Sequence, residues 1–154
     1  MNDILILGGT GFVGSVLCET LVRHSGGGGG RVSVPSRHSA RARHLQTLPT
    51  VEVIQADVHD DAQLARLVAG RDAVVNLVAI LHGSEADFER VHVTLPRRLA
   101  QACLAARVPR VVHVSALGAD AKAPSFYLRS KAAGEAALQQ AGVAPTILRP
   151  SVIF

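Results

Sequence analysis

A doubly wound parallel α/β sheet, six strands with helices on both faces, is the fold that this sequence predicts. Three observations carry the prediction. Apolar runs of strand length alternate with helical patterns along the whole chain. The first run opens straight into a glycine-rich turn and a helix. The composition, 48% hydrophobic with 3% aromatic residues, suits strands buried between layers of helices. A chain of 154 residues is one domain by size and can bury a core of its own.

The strands read as Ile4–Leu7, Arg31–Pro35, Val51–Gln55, Ala73–Val78, Arg110–Val114 and Pro145–Leu148. Helical patterns lie between them, over Phe12–His24, Ala40–Leu48, Ala62–Ala69, Phe88–Arg107 and Phe126–Ala141. Val13, Val16, Leu17, Leu21 and Val22 form the apolar stripe of the first helix. Pro96 is expected to kink or restart the fourth. The glycine run Gly26–Gly30 follows a helix and precedes a strand, which puts it at the amino edge of the sheet. Ligands in this architecture bind at the carboxyl edge, so the run reads as a flexible connector. Thr146 through Phe154 reads as a strand leaving the sheet. The expectation is one dinucleotide-binding domain over residues 1–154, truncated before a substrate-binding segment.

Composition narrows the function classes. The formal charge is +4, and Lys122 and Lys131 are the only lysines. The basic residues are scattered and have no stacking aromatics among them, which argues against nucleic acid as a partner. Cys18 and Cys103 fall at apolar helical positions and read as buried, reduced thiols. The seven histidines show no metal-ligand spacing. The first apolar run is too short to span a bilayer and has no basic leader, so a cytoplasmic location is expected.

The chemistry concentrates at a few positions. In Gly8-Gly9-Thr10-Gly11-Phe12-Val13-Gly14, Gly8 would make the tight turn and Gly11 would let the backbone approach a pyrophosphate. Gly14 would let the helix pack close to the strand, and the first-turn amides would hold the negative charge. No Lys-Ser/Thr pair follows, so this is not a P-loop. The second strand ends in Ser36-Arg37, where an acid would favour NAD(H). An arginine there accommodates a 2′-phosphate, so NADP(H) is favoured over NAD(H), with Arg41 one helical turn beyond. Asp57-Val58 follows the third strand, where Asp57 would meet adenine or serve as a turn or capping residue. Leu77-Val78 ends the fourth strand and is small and apolar, as backbone passing under a cofactor or as core. Tyr127 and Lys131, four residues apart on one helix face, suit proton exchange with a carbonyl or alcohol. An ammonium near the phenol would lower the tyrosine pKa.

The glycine motif and Tyr127-x-x-x-Lys131 resemble the two hallmarks of the short-chain dehydrogenase/reductase superfamily, a Rossmann family. The G-x-x-G-x-x-G spacing and Arg149-Pro150-Ser151 resemble its extended and atypical branches, which include nucleotide-sugar epimerases and dehydratases. The run His113 to Asp120, the stretch Tyr127 to Ala132, and Gly134-Glu135 are similar to a narrower atypical group. That group contains the NADPH-binding accessory subunit of respiratory complex I and its bacterial relatives.

The resemblance implies that Gly8, Thr10, Gly11, Phe12, Val13 and Gly14 line the pyrophosphate site. Ser36 and Arg37 take the 2′-phosphate, Asp57 and Val58 the adenine, and Leu77, Val78 and Lys131 line the cofactor. Pro150 and Ser151 pass near the nicotinamide, and Tyr127 is the acid/base. The superfamily's catalytic Ser/Thr position falls on Ala116, which leaves Ser115, one residue earlier, as the candidate hydroxyl. The helix position often held by Asn falls on His92. Two functions follow. One is hydride transfer to or from a small carbonyl, alcohol or sugar-nucleotide substrate through Tyr127 and Lys131. The other is a non-catalytic NADPH-holding structural or assembly protein, peripheral to a membrane respiratory complex at the inner membrane.

Overall fold

The structure, a computed structural model, describes residues 3–25 and 30–153. Gly26–Gly29 of the expected connector, and Phe154, lie outside the described residues. Six strands form one sheet in the order β3-β2-β1-β4-β5-β6, every neighbouring pair parallel. They are β1 (Asp3–Leu7), β2 (Arg31–Ser36), β3 (Val51–Gln55), β4 (Ala73–Asn76), β5 (Val111–Val114) and β6 (Thr146–Leu148). The order turns back between β1 and β4, and the carboxyl ends of those two strands open the crevice where such sheets hold ligands.

Alternation along β1 builds a core on each face of the sheet. Leu5 and Leu7 point to one face, with Leu64, Leu67 and Val68 of α3 (Asp61–Val68) and Leu95, Leu99 and Cys103 of α5 (Leu95–Ala105). Ile6 points to the other, with Cys18 of α1 (Phe12–His24), Val32 and Val34 of β2, and Leu45. Both cysteines are free and buried. Among the described residues, no helix is long and apolar enough to cross a membrane.

Three elements differ from the sequence expectation. The β4 strand ends at Asn76, not Val78. Asn76 turns its side chain back to accept the Val78 amide at 3.2 Å, and the backbone of Leu77 and Val78 then packs against the glycine turn. The expected helix over 40–48 is a 3₁₀ turn, Ser39–Ala42, followed by one α turn, α2 (Arg43–Gln46). Neither piece has a side-chain cap, and so short a segment has little stability of its own.

The expected helix over 88–107 comes in three pieces. A capped turn, α4 (Glu85–Phe88), runs into a π-helical stretch, Glu89–Thr94, and then into α5. Pro96 is the restart, near the first residue of α5. It has no N–H to give the His92 carbonyl four residues earlier. That carbonyl instead faces Gly134 of α6 (Phe126–Gln140), where an added Cβ would lie 2.0 Å from the His92 oxygen.

Candidate functional site: the carboxyl edge of the sheet

The glycine turn is shaped for an anion. Gly8 has φ +80°, and a Cβ there would meet the Leu77–Val78 backbone at 3.1 Å. Gly14 sits against the turn itself, where a Cβ would lie 2.5 Å from Gly8 O and Gly9 Cα. A Cβ on Gly11 would meet only Gly8 O, at 3.3 Å, so its outer side is open. The helix that follows has Gly11 as its cap residue, with no side-chain cap and no acid in its first turn. By contrast, Asp60, Ser84 and Ser125 cap α3, α4 and α6 with their side chains. The amino end of α1 therefore keeps its amides and its positive dipole end for an external negative group. These residues fit a dinucleotide pyrophosphate. Phe12 is 67% exposed at the same turn.

The residues expected at an adenosine end lie just after β2 and β3. Arg37 is exposed just beyond β2 and makes no ion pair among the described residues. Its backbone is held by Gln55, whose Nε2 donates to Arg37 O at 2.9 Å. Ser36 Oγ accepts from the His38 amide at 3.2 Å. Asp57 acts as a turn residue, one carboxylate oxygen accepting the His59 amide at 2.9 Å. Val58 packs its side chain toward the core cluster of α3 and α5, as does Val78, while Leu77 packs toward the α1 side.

Behind the turn lies a buried polar layer. Asn76, His92, His113, Ser115, Ser130, Lys131 and Glu135 are all 6% exposed or less. The hydrogen bonds fix their orientations. Asn76 Oδ1 accepts the Val78 amide, so its Nδ2 donates to His113 Nδ1 at 3.1 Å. The Ile80 amide donates to His92 Nε2 at 3.0 Å, which leaves His92 Nδ1–H to donate to Ser130 Oγ at 2.8 Å. Ser130 in turn donates to the Tyr127 carbonyl at 2.8 Å. His92 thus ties the loop after β4 to the first turn of α6. Its ring also packs edge-on against Tyr127, with centroids 5.5 Å apart. Burial, then the nearby Lys131 charge, pushes His92 down to about 4, and the same two causes lower His113 to about 4.

The tyrosine and lysine share a face of α6, but their surroundings differ from the expectation. Lys131 Nζ donates to Val114 O at 2.7 Å, and burial lowers its pKa to about 8 against an upward pull from Glu135. Tyr127 is shifted upward by burial, and Lys131 contributes no lowering to it. Ser115 is enclosed under α6 near Glu135, one helical turn past Lys131 and two past Tyr127, and its Oγ has no well-formed hydrogen bond. Ala116 is also buried.

Glu135 and Arg149 form a bidentate pair, 2.9 Å at Nε and 2.5 Å at the second nitrogen. Burial, the largest single influence, opposes ionisation of Glu135, but the hydrogen bonding and charge of Arg149 together with the nearby Ser115 hydroxyl and His113 hold the carboxyl below its usual range. The pair fastens α6 to the segment after β6. Pro150 O accepts the Leu117 amide at 2.8 Å beside it, and Ser151 is exposed. Among the described residues, no group of His, Cys, Asp and Glu could hold a metal ion. Sequence reasoning missed Asn76 and the bonding of His92. Their signal was a polar residue inside an apolar strand and a histidine four residues before a helical proline.

A family model described as NAD(P)H-binding matches residues 8–153. NADH dehydrogenase (ubiquinone) 1 alpha subcomplex subunit 9, mitochondrial, of Mus musculus is 34% identical over 97% of this chain and 40% of that protein. The chain thus spans about two-fifths of the length of that relative. Among solved structures, UDP-glucuronic acid 4-epimerase from Bacillus cereus in complex with NAD superposes with a TM-score of 0.81 at 21% identity. It covers 97% of this chain and 57% of that one. The dTDP-glucose 4,6-dehydratase DesIV of Streptomyces venezuelae with NAD and TYD bound gives a TM-score of 0.80 at 26% identity, over 96% of this chain and 55% of that one.

Proposed function

The chain belongs to the NAD(P)H-binding family, and from that premise we propose that it is an NADP(H)-holding module of a respiratory assembly, in which the nucleotide braces the fold. The observation that carries this reading is the state of the groups beside Tyr127. Lys131 gives its ammonium to Val114 O, Tyr127 is held protonated, Ala116 offers no hydroxyl, and Ser115 is enclosed beside Glu135. An oxyanion developing beside Tyr127 would lack the preorganised donor that such chemistry needs. The likeness to the Mus musculus subunit supports a respiratory complex as the partner and a peripheral place on it.

The binding roles follow from geometry and charge. The amides of Gly11 to Gly14 and the dipole of α1 take the pyrophosphate, with Gly8 and Thr10 setting the turn. Arg37, without a carboxylate partner among the described residues, takes the 2′-phosphate with Ser36 beside it. Asp57 and Val58 border the adenine, and Leu77 and Val78 support it from below. Lys131 reaches the nicotinamide ribose, and Pro150 and Ser151 border the ring. Bound at saturation, the nucleotide stabilises the fold by mass action, about 2.7 kcal/mol at a hundred times Kd.

One observation favours a second reading, hydride transfer on a small carbonyl, alcohol or sugar nucleotide. Lys131, with a pKa of about 8, is the kind of group that could leave Val114 O, approach the phenol and lower its pKa. NAD(P) supplies the hydride chemistry when bound. Tyr127 would give its phenolic proton to the substrate oxygen, and Ser115 would have to turn outward to join it.

Calorimetric titration with NADPH and NADH, followed by an NADPH-consumption assay against ketones, quinones and sugar nucleotides, tests the proposal. NADPH is expected to bind at least about tenfold more tightly than NADH, to lose that advantage in Arg37→Asp, and not to be consumed. Equal affinities would remove the 2′-phosphate role of Arg37. NADPH consumption that disappears in Tyr127→Phe would replace the holding role with the enzymatic one.

A further inference from the structure

The edge of the sheet opposite the nucleotide site carries a charge pattern of its own. In this topology the strand starts and the helix ends gather at the amino edge. Arg31 opens β2, Arg71 precedes β4, Arg107 and Arg110 precede β5, and Arg23 lies in the last turn of α1. Arg23, Arg31, Arg107 and Arg110 are exposed. The ion pairs among the described residues involve only Arg90, Arg98 and Arg149, so none of the arginines at this edge is neutralised by one. The acids at or beside this edge are Asp3, Asp72 and the exposed Glu52, second residue of β3, and Asp72 Oδ2 accepts the Asp3 amide at 2.8 Å. Most acids of the chain lie at the other edge, from Asp57 to Asp61, from Glu85 to Glu89, and at Asp120.

The register sets the spacing of the row. Asp3 pairs with Arg31, Ile4 with Ala73, and Val74 with Val111. Arg31 and Arg110 therefore stand at the two ends of four adjacent strands, about 14 Å across at the usual strand spacing. Arg71, between them, is half-buried and folds back to donate from Nε to Leu67 O at 2.9 Å. A second observation concerns Arg107, which follows α5 with φ 55°. Glycine is the relaxed residue at such a position, and a side chain there is strained. Arginine at that point also gains from the negative dipole end of α5, which accounts for its charge but not for a side chain in a left-handed conformation.

We propose that the amino edge of the sheet is a docking surface for anionic phospholipid headgroups. The row is of arginines, whose planar forks match phosphate oxygens in pairs. Among the described residues it has no aromatic or apolar centre of the kind that carries affinity between proteins, Leu104 being the exposed apolar residue of the adjoining helix end. A phosphate-bearing plane needs no such centre. Docked in this way, the chain turns its nucleotide edge away from the bilayer and leaves that site open. The proposal is independent of whether the nucleotide is consumed.

The test is co-sedimentation of the chain with vesicles of equimolar phosphatidylglycerol and phosphatidylcholine, against phosphatidylcholine alone, at low and high salt. Binding is expected only to the charged vesicles and is expected to weaken with salt. Arg107→Glu/Arg110→Glu should lower partitioning by roughly thirtyfold, at about fivefold per arginine lost from a charged surface. Lys122→Glu/Arg90→Glu, the same charge change at the other edge, should lower it far less. Melting temperature and NADPH affinity of both variants check that the fold is kept. Equal losses in the two variants would reduce the effect to net charge and overturn the proposal. So would equal binding to neutral vesicles, or binding to a DNA duplex as tight as to the charged vesicles.

Discussion

Mild acid should destabilise this protein through two buried histidines. His92 and His113 are each 2% exposed, and burial lowers both from 6.5 to about 4. Well above pH 6.5 both are neutral in the folded and the unfolded chain. As the pH falls, the unfolded chain takes up protons near 6.5 while the folded one refuses them until about 4. The unfolded state then binds more protons, so stability falls with pH. Between pH 7.5 and 5.0 the difference integrates to about 2 kcal/mol per histidine, about 4 together. His59, lowered mainly by burial, acts in the same direction. A loss of that size is a large share of a typical domain's stability and corresponds to roughly 12 °C in Tm. Urea titrations at both pH values measure it, and each protein is compared with itself. His113→Asn keeps an acceptor for Asn76 but cannot titrate, so its loss should shrink to about half. A parent loss below about 1 kcal/mol, or an unchanged loss in the variant, would refute the reasoning.

Two further outcomes follow from the same site. Lys131 is lowered from 10.5 to about 8, so above pH 8 the folded chain releases a proton that the unfolded chain keeps, and stability rises. From pH 7.5 to 9 the gain is about 1 kcal/mol, and urea titration should find it in the parent and not in Lys131→Met. The window stops at pH 9 because burial raises Cys18 to about 11 and Cys103 to about 12, which pulls stability the other way above the ordinary thiol value. At the glycine turn, Gly11→Ala adds a Cβ whose nearest contact is Gly8 O at 3.3 Å, so Tm should hold while NADPH affinity falls by about tenfold or more. Gly14→Ala drives a Cβ to 2.5 Å from backbone and should lose about 1–3 kcal/mol of stability as well. Thermal melts beside calorimetry separate the two, and equal effects on Tm would remove the distinction between binding and packing.

The sheet was legible in the sequence because its signals are local. A run such as Ile4–Leu7 suits a strand buried on both faces, as in a parallel sheet between helix layers, and the glycines after it announce their own turn. Errors fell where a distant partner decides. Apolarity alone would carry β4 to Val78, but the Asn76 side chain and the glycine turn of β1 end it. The stretch 88–107 has a helical pattern throughout, and its π-helical part coincides with the close approach of the His92 carbonyl to Gly134, far apart in the chain. The same limit applies at the site. The spacing of Tyr127 and Lys131 places them on one face, but the strand carbonyl that takes the ammonium belongs to β5. No spacing rule reads that bond.

The buried polar layer bears on why the nucleotide matters to this chain. Lys131 is enclosed with His92 and His113, and its charge lowers both of them. An apolar layer of similar volume would often be at least as stable, since desolvating charged and polar groups offsets what their hydrogen bonds return. What the layer supplies is position. Asn76 holds the Val78 amide and His92 the Ile80 amide, so two bonds fix the backbone that lies behind the glycine turn, while Lys131 holds the end of the neighbouring β5. Val78 and the preceding Leu77 are the residues packed directly against Gly8. A loop without regular secondary structure is thereby held rigid at the place where a nucleotide would rest on it, before any nucleotide arrives. Preorganisation of that kind lowers the ordering cost of binding. It serves a chain that retains its nucleotide as well as one that turns it over, and it explains the layer under either use.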